Sequence, residues 1–80
     1  MNAEKEPCGL DITLDDIRKI ENQYDVTIRI HFDKLARAWC FDFEKGVFID
    51  RLVLCVTFLR ETSKSKLLDI FANRASSFAK

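Results

Sequence analysis

A single histidine, His31, and three cysteines, Cys8, Cys40 and Cys55, are the side chains best suited to nucleophilic or metal chemistry in these 80 residues. Imidazole catalysis needs a nucleophile or an orienting carboxylate within hydrogen-bond reach. The strand register predicted below sets His31 opposite Ala36 and Cys40 opposite Thr27, so ring and thiol share a sheet face without being neighbours. His31 therefore reads as a surface residue. A zinc site takes about four nitrogen or sulfur ligands, usually with two of them a few residues apart. No such pair occurs, and Cys40 and Cys55 read as small buried hydrophobes. Gly9 and Gly46, the only glycines, are too few for a phosphate-cradling loop. Asp15 with Asp16, and Asp42 with Glu44, are candidate paired carboxylates, but adjacent helix residues point apart and acids beside a turn are solvated. The expectation is a protein that is not an enzyme and carries neither metal nor cofactor.

Charge directs attention to binding instead. Thirteen basic residues balance thirteen acidic ones, so no overall field favours nucleic acid or an anionic membrane. The distribution is uneven: up to Asp33 there are eight acids against four bases, and beyond it nine bases against five acids. In the first part, Asp15, Asp16, Arg18 and Lys19 form a charged helix surface able to dock a partner. In the second, Arg60, Lys64, Lys66 and Arg74 form a basic set that would contact a phosphate backbone in an alternative, nucleic-acid-binding reading.

Residues 1–9 hold Pro7 and Gly9 among charges and lack periodicity, which predicts a disordered leader before a single domain over residues 10–80. The leader does not have the pattern of a secretory signal, no apolar stretch approaches the roughly 20 residues of a membrane helix, and the cysteines are odd in number and widely spaced. A cytoplasmic protein with free thiols and no membrane partner is expected.

Thr13 is placed to cap a helix over residues 14–24, with Asp15 and Asp16 at the positive end of its dipole and Leu14, Ile17, Ile20 or Glu21, and Tyr24 along one face. At Val26 the period falls to two, and Val26, Ile28, Ile30 and Phe32 alternate with polar residues as in a half-buried strand. A two-residue turn at Asp33-Lys34 would set Phe32 opposite Leu35, Ile28 opposite Trp39 and Val26 opposite Phe41. A three-residue loop at Glu44-Lys45-Gly46 would set Phe43 opposite Val47 and Phe41 opposite Ile49. Both registers collect apolar residues on one face. After a polar break at residues 62–66, Leu67, Leu68, Phe71, Ala75 and Phe78 trace a closing helix.

The run Leu52-Val53-Leu54-Cys55-Val56-Thr57-Phe58-Leu59 has no wet side. Its β-branched and aromatic content reads as extended structure, with a helix beginning at Arg51 as the alternative. The predicted fold is α+β: a three-stranded antiparallel sheet with N- and C-terminal helices on one face, in the order αβββα, or αββαα if the run is helical. Two helices cover one sheet face only. Phe48, Val53 and Val56 would then lie on an uncovered apolar surface, which predicts a small protein-interaction module that occupies a partner's surface and forms a homodimer.

Overall fold

The computed structural model describes residues 7–77. They build α1 (Leu14–Tyr24), β1 (Thr27–Asp33), β2 (Ala38–Lys45), β3 (Phe48–Cys55), α2 (Val56–Glu61) and α3 (Lys64–Ser77), preceded by a 3-10 turn at Gly9–Asp11. The sheet is antiparallel in the order β1-β2-β3, and the helices pack on one face, as the α+β expectation requires. The order αβββαα combines the two predicted variants.

α1 has the bounds its sequence predicts. Thr13 Oγ1 accepts from the Asp16 N–H at 3.2 Å while the Asp16 carboxylate accepts from the Thr13 N–H at 3.0 Å, a reciprocal capping box. Asp25 ends the helix in the left-handed region at φ 57°. Ile17 and Ile20 enter the core, whereas Leu14, expected on the same stripe, is 66 % exposed.

The hairpins close differently from the prediction. β1 and β2 are joined by four residues, so that Asp33 pairs Ala38 and Ile28 pairs Phe43. One oxygen of the Asp33 carboxylate accepts from the N–H groups of Leu35 and Ala36 at 3.0 and 3.2 Å, and Arg37 turns the chain at φ 51°. This Asx turn replaces the glycine that a tighter hairpin would need. Each β1 residue therefore meets a β2 residue four places later than predicted. An even displacement leaves every strand residue on its predicted face. Leu35, however, leaves the sheet and stands at the hairpin tip.

At the second hairpin the displacement is odd. Gly46, with φ 62°, opens a two-residue turn and Lys45 pairs Phe48, so Phe41 faces Leu52 and Phe43 faces Asp50. β3 is consequently inverted relative to expectation: Leu52 and Leu54 reach the core, and Val47 and Ile49 are exposed at 89 and 66 %. Phe48 shares the helix-side parity of Lys45 rather than lying on the opposite face.

The apolar run divides. It is strand to Cys55 and helix from Val56, with Cys55 Sγ accepting from the Phe58 N–H at 3.4 Å and Leu59 buried. α3 drives Leu67, Phe71 and Ala75 into the core; the Phe71 ring lies 4.7 Å from that of Phe41 and 5.7 Å from that of Phe43. The predicted Phe78 contact lies outside the described residues.

The leader boundary also moves. The Gly9 N–H donates to Thr62 O at 2.8 Å, the Lys64 N–H donates to Pro7 O at 2.9 Å, and Cys8 bridges Ser63, so Pro7–Gly9 belong to the fold. Gly9 is required sterically: a Cβ there would sit 2.9 Å from Leu59 O. Residues 1–6 of the predicted leader lie outside the described residues.

Candidate protein-interaction site

α1 is joined to β1 through Asp25 and Val26 and runs back over the strand it precedes. Its 11 residues span about 16 Å, against about 23 Å for the seven of β1. The helix therefore stops short of the hairpin tip. Near the link, Val26, Ile28 and Phe43 are buried beneath Ile17, Ile20 and Phe71. Toward the tip, Ile30 and Phe32 remain 36 and 40 % exposed, and Trp39 is half-buried against Phe32 with ring centroids 5.0 Å apart.

Between this uncovered part of the sheet and the start of α1 lies an apolar cleft of about 330 Å³, lined by Leu10, Ile12, Leu14, Ile30, Trp39 and Phe41 among others. Of its lining, Leu10 and Leu14 are exposed at 43 and 66 %; Phe32 lies against the lining Trp39, and Leu35 is exposed in the hairpin turn. Asp11 and Asp15, next in sequence to lining residues, are exposed, as are Lys34 and Arg37 in the hairpin turn. Chemically the region offers an apolar floor with exposed charges on the adjoining segments.

Among the described residues no helix packs on the sheet's other face. Its rows are Thr27, Glu44 and Ile49; Arg29, Asp42 and Arg51; His31, Cys40 and Val53; and Asp33, Ala38 and Cys55. Arg51 grips Asp42 with two bonds of 2.7 and 3.0 Å, and Arg29 reaches Glu44 at 2.8 Å. The Arg51 hydrogen bond holds the Asp42 carboxyl below the usual carboxylate range, against the opposing effect of its burial. His31 and Cys40 are direct cross-strand partners here, a correction to the predicted register. Cys40 is buried and, among the described residues, no hydrogen bond joins its thiol to the imidazole. No group of three or more metal-ligating side chains occurs among the described residues.

The predicted contact residues do not converge. Asp16 turns inward and takes Lys64 Nζ at 2.9 Å, linking α1 to α3, while Asp15, Arg18 and Lys19 stay exposed. Phe48 and Val53 have opposite parity on β3, and Val56 is half-buried at the start of α2 with its N–H donated to Arg37 O. Of the four basic candidates, Lys64 is engaged by Asp16 and Arg74 by Asp50 at 2.7 Å, leaving Arg60 and Lys66 exposed on different helices. Pattern alone assigns Leu10, Leu14, Ile30, Phe32, Leu35 and Trp39 to the core or to no role. The signal that finds them is the mismatch between helix and strand length.

The Thr13 N–H, then Lys64, holds the Asp16 carboxyl down from 3.8 to about 2. A depressed carboxylate stabilises the fold at pH above its unfolded value and loses that contribution as pH falls through the folded one. Acid unfolding should thus steepen between about pH 4 and pH 2, and Asp16→Asn should flatten that part of the profile when thermal midpoints are measured against pH.

Compared with protein-family models, curated proteins and solved structures, the chain has no significant match.

Proposed function

We propose that this chain is a small, non-enzymatic protein-interaction module, an adaptor, regulator or inhibitor that acts by occupying a partner's surface and that self-associates. One observation carries the reading: the helices leave the tip half of their own sheet face uncovered, and its apolar side chains run on into the cleft at Leu10 and Leu14. A contiguous apolar patch is what docking surfaces present, and a core residue without a lid is otherwise a liability. Three free cysteines support residence in a reducing compartment, the cytoplasm, and among the described residues no helix is long and apolar enough to cross a membrane. The basic set offers less support for nucleic-acid binding, because two of its four members are neutralised within the fold.

The test combines dye binding with oligomeric state. The native protein should enhance the fluorescence of an apolar dye, and Leu10→Glu with Leu14→Glu should remove most of that enhancement while the circular dichroism spectrum is unchanged. A native protein that binds no dye and sediments only as a monomer would contradict the reading.

A further inference from the structure

We propose that two copies of this chain join through the free edge of β1, forming one continuous six-stranded antiparallel sheet in the register that sets Ile30 opposite Phe32 of the second copy. The inference rests on the interaction-module reading and names its partner and geometry. It starts from one hydrogen bond. The Ile28 N–H donates to the Glu21 carboxylate at 2.8 Å and not across the sheet to Phe43, its register partner. Backbone groups in an antiparallel ladder alternate between facing the partner strand and facing away. Ile28 therefore faces away from β2, and so do Ile30 and Phe32, two and four residues on. The other side of β2 agrees: Val56 continues the β2–β3 register by donating to Arg37 O at 3.1 Å, which assigns odd-numbered β2 residues to β3 and even-numbered ones to β1.

Glu21 closes the edge at Ile28, and among the described residues nothing bonds the outward N–H groups of Ile30 and Phe32. An exposed edge strand of this kind, without proline or bulge, is a template for another strand. A two-fold axis through His31 pairs Ile30 with Phe32 of the second copy and Phe32 with its Ile30. Four backbone hydrogen bonds form, using every free donor and leaving Ile28 to Glu21. The side chains agree with this register on both faces. On the helix side Ile30 meets Phe32 beside the cleft. On the other side Arg29 stands opposite Asp33 of the second copy, twice by symmetry, and His31 meets its own copy. Arg29 has donors beyond its bond to Glu44, and Asp33 has an oxygen beyond the one held by Leu35 and Ala36.

The competing arrangements are less complementary. An axis through Ile30 would need the Ile28 N–H that Glu21 holds and would set Arg29 against His31. At the β3 edge the outward residues are Ile49, Arg51, Val53 and Cys55; the two-fold pairing with Ile49 opposite Val53 sets Arg51 against Arg51, and the pairing with Arg51 opposite Val53 sets Asp50 against the apolar Leu54 of the second copy.

Sedimentation equilibrium tests the edge directly. The wild type should show a concentration-dependent monomer–dimer equilibrium. Arg29→Asp alone and Asp33→Arg alone, each placing like charges opposite one another twice, should weaken self-association about tenfold or more, and an equimolar mixture of the two variants should restore it as a heterodimer. Phe32→Glu should abolish association, and Val53→Glu, on the face of β3 away from the helices, should leave it unchanged. Circular dichroism establishes that each variant is folded, and the wild-type equilibrium does not depend on any variant. A dimer sensitive to Val53→Glu but not to Phe32→Glu, or a mixture no tighter than its components, overturns the edge while leaving the interaction reading intact. A monomeric wild type overturns the edge and the self-association part of that reading together.

Discussion

Replacing Phe71 by alanine is expected to cost about 3–5 kcal/mol, the range for deleting a buried aromatic ring from a packed core. Phe71 is fully buried, and its ring joins α3 to the sheet through Phe41 and Phe43. Neither α1 nor α2 can reseal that gap, because α1 already spends Ile17 and Ile20 on the same cluster and α2 contributes Leu59 at its margin. Small domains hold total stabilities near the lower end of about 5–15 kcal/mol. The variant should therefore melt roughly 20 °C below the wild type or populate the unfolded state at room temperature. Thermal unfolding followed by circular dichroism measures it, and a loss below about 1 kcal/mol would mean that α3 is not seated on the sheet.

The second large effect is a contrast between neighbours. Leu52→Asp should unfold the protein, since Leu52 is buried opposite Phe41 and an unpaired carboxylate there costs several kcal/mol. Val53→Asp should lie within about 1 kcal/mol of the wild type, because Val53 is 51 % exposed on the face away from the helices, opposite Cys40. Denaturant midpoints for the two variants read the parity of β3. Equal destabilisation would return the strand to a position covered on both faces. An apolar run without a polar alternate suggests burial all along its length, and on that basis Val53→Asp and Val56→Asp would both be severe. The two-residue turn at Gly46 instead sends Leu52 and Leu54 inward and Val53 outward.

That contrast also shows where sequence reasoning stops. α1 was legible to the residue because its cap, its dipole-facing acids and its apolar stripe are local and agree with one another. The strands were legible as faces, since alternation is local too. Their registers depend on where each turn closes, which rests on side-chain bonds such as Asp33 to Leu35 and Ala36 that alternation does not encode. The even error in the first hairpin kept the faces and changed the neighbours, which hid the His31–Cys40 juxtaposition; the odd error in the second inverted β3. The strand-to-helix change at Cys55 and Val56 has no glycine or proline to announce it.

The candidate site was hidden for a related reason. Ile30, Phe32 and Trp39 look like core in any pattern analysis, and their exposure follows from the reach of α1 rather than from their own identity. Conversely Asp16, Lys64 and Arg74 look like surface charges and are held in ion pairs that staple α1 to α3 and α3 to β3. Pairing the free edge of β1 with a second copy would satisfy the open backbone groups and bring the two uncovered apolar ends side by side, so one contact addresses both features.

Amide hydrogen exchange at Ile30 and Phe32 in the unmodified protein, read in dilute and in concentrated solution, tests this most directly. Both amides should exchange rapidly when the protein is dilute and become protected as it is concentrated, while Ile28, already bonded to Glu21, should change little. Rapid exchange at Ile30 and Phe32 at every concentration would contradict the account.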